Sequence, residues 1–449
     1  KDPCFMPRRL FRSLSLVLLA ITAGACLWAT PARAEKIDRE LPNGLRVVVV
    51  ENPASPTVSV NVFIAAGSLD ESTTTTGLAH FYEHMFFRGT PSLSGLQFKK
   101  AIEDMGGTTN ATTAKDMTHY FIGLPAEYAE RGLELLADAL QRAELDPAGI
   151  DVEREVVLEE YRLSENNPGR IASEKLYKLA YGEHPYGRST IGTKEALKSF
   201  QRADFVRFRN ENYVPERCTV VVVGDVVAEK TFQKARQLFS GFKSTASGPR
   251  KLSEPPQAPE APVIEEGSGP VGSTILFLGY PAPSAHDRPD VYAVDVLSFL
   301  LGQGKESLLY RNLVKEKAVA ESVDVSFLTP RQRGLIIVSA VAADKKSAEM
   351  RAALTEQIAA VAEGKFSDQD LRRAKAQLIG SYQLQNESNS GAADSIGFYA
   401  ALGVPDFSYT YVQEIEKVDR QNVMAAARKY MGGGYWGYLM KPARGGKRS

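Results

Sequence analysis

The sequence predicts an α+β protein of two similar halves, each a mostly antiparallel sheet with helices packed on it, joined by an extended linker. Three observations predict this. The chain has 449 residues, too many for one ordinary core. The order strand, helix, strands, helices and a helix feeding a short strand occurs twice. Between the two runs lies "KSTASGPRKLSEPPQAPEAP", rich in Pro, Ser and Ala and without apolar periodicity. The 54 acidic and 54 basic side chains balance, so no strong field points to nucleic acid or a membrane surface.

Taken in order, "KDPCF" before Met6 is set aside as an expression remnant. Arg8, Arg9 and Arg12, the apolar run "LSLVLLAITAGACLWA" and "PARA" then form the n-region, h-region and cleavage box of a signal peptide. Residues 1–34 are therefore expected to leave, with cleavage after Ala34 and no membrane span in the mature chain. Of three cysteines only Cys218 remains, in "CTVVVVG", as a buried strand residue. An exported chain without a disulfide suits a bacterial periplasm.

The first half, 35–242, opens with strands at 45–51 and 57–64, both β-branched runs between turn signals. A helix at 76–87 is ended by "RGTP". "SGLQFKKAIEDMG" is amphipathic and helical. "GGTTNATTAKDMTHYFIGLP" is Thr-rich and β-like, with a turn near "AKD". Helices follow at "AEYAERGLELLADALQR", "IDVEREVVLEEYRLSE", 170–181 and 194–211, then the strand "RCTVVVVGDV" and the helix "AEKTFQKARQLFSGF". After the linker, 243–268, the second half runs over 269–441. It reads as strand "STILFLGYP", a helix, strands "ESVDVSF" and "GLIIVSAVA", two helices, and "RQNVMAAARKYMGGGYWGYLM"; a basic tail covers 442–449.

The chemistry concentrates in "GLAHFYEHMFFRGT", residues 77–90. On a helix, His80 and His84 share a face one turn apart and can turn ring nitrogens to one metal ion. Glu83 borders that face and can take a proton without being a ligand. This is the inverzincin H-x-x-E-H arrangement. A catalytic zinc takes three protein ligands and keeps one open position, so a third ligand must come from elsewhere. "VEREVVLEEYRL" offers Glu153 and Glu160, seven apart on one helical face, one to bind metal and the other to support it. Spacing does not separate Glu160 from Glu159.

At these residues the chain resembles the pitrilysin and mitochondrial-processing-peptidase family of zinc metallopeptidases. The resemblance extends through "GGTTNATTAKDMTHY", "EREVVLEEYRL", "HPYGRSTIGT" and "YVPERCTVVVVGDV". It implies one zinc per chain, held by His80, His84 and Glu160, with Glu83 as general base and Glu153 as the supporting carboxylate. Asn110 and Ala111 would lie on the edge strand that pairs with substrate backbone, and unfolded or short peptides would be cleaved inside an enclosed chamber. His119, His184 and His286 match no metal position and are read as structural or surface residues.

The chain departs from the family at one place. Where relatives often carry an Arg and, seven residues on, a Tyr to hold the substrate carbonyl, this sequence has "LVKEKAVAESV", with Val314 and Glu321 at those positions. Either another donor such as Arg311 substitutes, or a paralogous Arg/Tyr-bearing subunit supplies the pair in a heterodimer, with a homodimer as the other form of assembly. The alternatives to a peptidase are a non-catalytic peptide-binding or assembly subunit of the same fold, and a structural zinc domain. The intact motif argues against the first, and the lone mature cysteine against the second.

Overall fold

The computed structural model describes residues 35–443 except 247 and 249–251; the expected signal peptide, its cleavage point and the end of the basic tail lie outside them. The first half contains β1 (Lys36–Glu40), β2 (Arg46–Glu51), β3 (Thr57–Ile64), α1 (Leu78–Phe86), a small hairpin of β4 (Gly89–Thr90) and β5 (Leu93–Ser94), and α2 (Gly95–Asp104). It continues with β6 (Thr108–Thr113), β7 (Thr118–Pro125), α3 (Ala129–Arg142), α4 (Pro147–Glu165), α5 (Pro168–Tyr181), α6 (Lys194–Ser199), α7 (Arg202–Asn212), β8 (Cys218–Gly224) and α8 (Ala228–Phe239). The second half contains β9 (Val263–Gly269), β10 (Thr274–Ala282), α9 (Arg288–Gly302), a π-helical segment Tyr310–Glu316, β11 (Ser322–Phe327) and β12 (Gly334–Ala342). Five further helices and a strand complete it: α10 (Ser347–Ala362), α11 (Asp368–Gln385), α12 (Asn389–Ala401), α13 (Phe407–Lys417), α14 (Arg420–Met431) and β13 (Trp436–Pro442).

The internal repeat is a repeat of topology. The first sheet has the order β1-β2-β8-β3-β7-β6 and the second β11-β12-β10-β13-β9. Read from β2 and from β9, both run first strand, last strand, second, fourth, third. Each has a single parallel pairing, β2 with β8 and β9 with β13, and is otherwise antiparallel. The first sheet adds β1 at its outer edge.

Four details differ from the sequence expectation. β1 was not expected, because "KIDRE" buries only Ile37 and carries charges around it. The helix expected over 194–211 breaks at Phe200 and Gln201, where Phe200 turns inward and the Gln201 amide donates to Asp204 to start α7. The last residues of the expected linker, 263–268, join the second sheet as β9 through parallel pairing with β13. Four helices, not two, stand between β12 and α14.

The halves hold each other by exchanging helices. α5 belongs to the first half by sequence, yet Ala172, Leu176 and Ala180 pack with Leu335, Trp436, Tyr438 and Met440 of the second sheet. In return, Ala393, Ile396 and Ala401 of α12 cover Val48, Phe63, Val221 and Val223 of the first sheet. Gly397 makes this approach possible, since a Cβ there would lie 1.9 Å from the Phe63 ring. Each fully buried Leu, Ile, Val, Phe or Met side chain in these contacts is worth about 1.5–3 kcal/mol. The strap between the halves is tied to both: the Ser253 carbonyl accepts from His184 Nε2 at 3.0 Å and from Gln332 Nε2 at 2.7 Å. His184 is thus a structural residue. His119 is another, stacked on Phe63 at 3.9 Å and bonded to Asn61 at 3.0 Å. Cys218 is buried in β8, and burial pushes its thiol up, away from reactivity.

Candidate active site

α1 is set in place from its first turn. Its N-cap, Gly77, is left-handed (φ 96°) and has no side chain to cap with. Glu71 caps it instead: its carboxylate oxygens accept the Gly77 N–H at 2.9 Å and the Ala79 N–H at 2.8 Å. Burial pushes the Glu71 carboxyl up, against the pull of these two amides and of Lys115 and Arg188. Gly192 presses backbone to backbone on Thr76 and Gly77, so a Cβ on either glycine would strike a carbonyl. Along α1, Leu78, Ala79, Phe81, Tyr82, Met85 and Phe86 are buried against the first sheet and α7, leaving His80, Glu83 and His84 on the open face.

α4 crosses this face. It starts at Asp146, whose side chain accepts the Gly149 N–H, followed by Pro147, a sound helix start. Val157 and Leu158 anchor it in the core. Glu153 and Glu160, two turns apart, then meet the two histidines. Glu160 Oε2 lies 3.6 Å from His80 Nε2 and 3.7 Å from His84 Nε2. These separations are too long for hydrogen bonds. They match the edge of a tetrahedron about a metal with bonds of about 2.0–2.2 Å, which is about 3.4 Å. Among the described residues, His80, His84 and Glu160 are the group whose ligand atoms gather this way, all within 4.8 Å of one another. Glu159, its neighbour in sequence, instead pairs with Arg162 at the surface.

The surroundings favour a cation here. Burial pushes the His80 imidazole down to about 3, helped by His84 and Arg170, so its nitrogen lone pair stays free. His84 Nδ1 is 3.1 Å from Glu153 Oε2, which directs Nε2 toward Glu160. Burial lowers His84, but Glu153, Glu160 and Glu83 more than offset it and raise its affinity for a proton. Glu153 is held low, first by His84 and then by Arg88, whose Nη1 is 3.1 Å away. The donor set of two imidazoles and one carboxylate, open to solvent on the side of the half-exposed Glu160, fits zinc with a free coordination position. Glu153→Gln is expected to weaken zinc binding about 10- to 100-fold, read by chelator competition. Unchanged affinity would show that Glu153 does not orient His84.

Glu83 stands beside this group. Burial raises its carboxyl, with Thr113 and His84 opposing. The Thr113 hydroxyl donates to Glu83 Oε2, fixing one oxygen and leaving the other for substrate. Thr113 ends β6, the edge strand that also carries Asn110 and Ala111. Asn110 Oδ1 accepts the Ala111 N–H at 2.9 Å, so this edge carries its own cap. Sequence reasoning missed Thr113 and Arg88, which meet Glu83 and Glu153 only through tertiary approach, and Glu71, which caps α1 from six residues upstream rather than from the N-cap position.

Val314 and Glu321 stay away from donor roles. Val314 packs on the second core from the π-helical segment, and Glu321 accepts from Ser273 at 2.9 Å. Arg311 is ion-paired with Asp370 at 2.8 Å, which commits its guanidinium elsewhere.

Comparison with known proteins gives the following. The model of the insulinase domain of peptidase family M16 matches residues 46–194, and that of the peptidase M16 inactive domain matches 199–378. The zinc protease PqqE of Helicobacter pylori is 31% identical over 405 residues, 88% of this chain and 89% of that protein. A protein of Arabidopsis thaliana described as a probable mitochondrial-processing peptidase subunit beta is 29% identical, over 87% of this chain and 75% of its own. The crystal structure of a protease from Helicobacter pylori superposes with a TM-score of 0.84 at 27% identity, covering 91% of this chain and 100% of that one.

Proposed function

The chain belongs to the insulinase family of peptidases, M16, and from that premise we propose that it is a zinc endopeptidase of unfolded or short peptides, the metal-bearing subunit of a heterodimer. The observation that carries the reading is the approach of His80 Nε2 and His84 Nε2 to one oxygen of Glu160, at 3.6 and 3.7 Å. His80, His84 and Glu160 would hold one zinc ion. Bound there, zinc supplies Lewis acidity toward a carbonyl and lowers the pKa of a coordinated water.

The protein's own groups do the rest. Glu83, raised by burial, takes the proton of the attacking water and delivers it to the leaving amine. Thr113 keeps that carboxylate in one rotamer. Glu153 holds His84 in the tautomer that offers Nε2. The free edge of β6 at Asn110 and Ala111 pairs with substrate backbone as an added strand once Asn110 releases the Ala111 N–H. Main-chain pairing reads little of the sequence, so the pairing itself imposes loose selectivity.

The positions where relatives carry the carbonyl and oxyanion donors do not supply them here. Val314, Glu321 and the engaged Arg311 support the reading that a paralogous partner brings an Arg/Tyr pair. The n-region, h-region and Ala-x-Ala box of residues 8–34 support export to a periplasm.

The test measures zinc per chain and cleavage of a quenched peptide, with and without chelator and with and without an Arg/Tyr-bearing paralogue. One zinc per chain, little turnover alone and a large gain on adding the partner are expected. Absent zinc after metal supply would remove the site assignment; full turnover by the isolated chain would remove the partner.

A further inference from the structure

The turn between β6 and β7, residues 114–117, is held from three directions. It is closed by the Ala114 N–H, which donates to the Met117 carbonyl at 2.8 Å. On one side it carries Thr113, the last residue of β6, whose hydroxyl donates to Glu83. On a second side lies the segment that precedes Glu71. The Ser68 N–H donates to the Ala114 carbonyl at 3.1 Å, and the Leu69 N–H to the Lys115 carbonyl at 2.8 Å. Gly67 allows this approach, because a Cβ there would lie 2.3 Å from the Ala114 oxygen. That segment runs on into Glu71, the cap of α1. One turn therefore borders both the strand end that holds Glu83 and the residue that seats its helix.

The third hold comes from the second half. Arg331 lies in the loop between β11 and β12. Its backbone N–H donates to Asp116 Oδ2 at 3.2 Å, and its guanidinium to the Asp116 carbonyl at 3.3 Å. The same guanidinium donates to the carbonyl of Ala401, the last residue of α12, and reaches the Ala65 carbonyl at 3.5 Å. Asp116 is buried, and its other oxygen accepts from the Tyr186 hydroxyl at 2.7 Å. The Tyr186 oxygen in turn accepts the Gln332 N–H at 3.2 Å. A buried carboxylate with a donor on each oxygen is costly to disturb. β6 is an edge strand paired on one side only, so this turn, and no second neighbouring strand, places its end.

We propose that Arg331 is a positioning residue for Glu83: by clamping the Ala114–Met117 turn from the second half, it sets the Thr113 hydroxyl against the general base. The proposal rests on the peptidase reading above. It gives the second half, which carries none of the proposed ligands, a part in holding the base.

The test is a double-mutant cycle on the zinc-loaded chain with its Arg/Tyr-bearing partner, using Arg331→Met, Thr113→Val and the two together. Each single variant is expected to lower kcat about tenfold, with KM and zinc affinity near wild type. Because Arg331 acts through Thr113, the double variant should lose no more than Thr113→Val alone. Hydrogen exchange, which needs no turnover, should rise at the Ala114–Met117 turn and the end of β6 in Arg331→Met. Arg331→Lys keeps a cation beside the Asp116 and Ala401 carbonyls and should recover part of kcat; if Arg331→Met does not fold, the same cycle is run with Arg331→Lys. Losses that multiply in the double variant, to about a hundredfold, mean that Arg331 does not act through Thr113 and overturn the proposal. An unchanged kcat in the Arg331 variant, or unchanged exchange at the turn, overturns it as well. Failure of the peptidase reading shows instead in the wild-type chain, as absent zinc or absent cleavage with the partner, while the exchange still reads the clamp itself.

Discussion

Glu83→Gln is expected to bind zinc as the wild-type chain does while turnover of a quenched peptide, measured with the Arg/Tyr-bearing partner present, falls by roughly two to four orders of magnitude. The reason is positional. Glu83 lies outside the group whose atoms converge, which is His80, His84 and Glu160, so its loss leaves the proposed ligands in place. It is next to that group, half-buried, and held by Thr113 through one oxygen. An amide of the same shape still accepts the Thr113 bond but cannot take a proton from water. Zinc content and turnover must therefore separate in this variant. Retained turnover would refute the assigned base, and lost zinc would mean that Glu83 holds the site together rather than working in it.

Glu160→Ala should show the opposite pattern, with zinc and activity lost together. Loss of metal affinity is expected to exceed the roughly 10- to 100-fold that a supporting carboxylate is worth, because the two imidazoles alone leave the ion without its third protein ligand. Glu160 is 44% exposed, so the stability of the metal-free chain should stay within about 0.5 kcal/mol of metal-free wild type. Measuring zinc by chelator competition alongside thermal unfolding tests both halves of this expectation. Zinc retained at wild-type affinity would place the third ligand elsewhere and sink the site as drawn.

Much of this was legible in the sequence, and the reasons are local. His80, Glu83 and His84 follow from helical spacing, since i and i+4 share a face. The strands at 46–51 and 57–64 follow from Val-rich stretches between turn signals. What could not be read depends on approach between distant elements. Adjacent residues on a helix point about 100° apart, so choosing Glu160 over Glu159 needs the placement of α4 on α1. Thr113 meets Glu83 across 30 residues of chain. Only two of the four helices between β12 and α14 were expected; α12, "NSGAADSIGFYAA", carries Gly, Ser and Asn of low helix propensity, and burial of Ala393, Ile396 and Ala401 on the first sheet holds it as a helix.

The exchange of α5 and α12 sets a limit on vectorial synthesis. When residue 242 has left the ribosome, every strand of the first sheet exists, but the surface of Val48, Phe63, Val221 and Val223 is bare, and its cover is still about 150 residues from being made. The nascent chain must carry an apolar sheet face in water until residue 401 emerges, and α5 waits longer still, until β13 at Trp436–Pro442 is made. Folding of the two halves therefore finishes nearly together, at the end of translation, and the interval before it is when the chain is most in need of a chaperone.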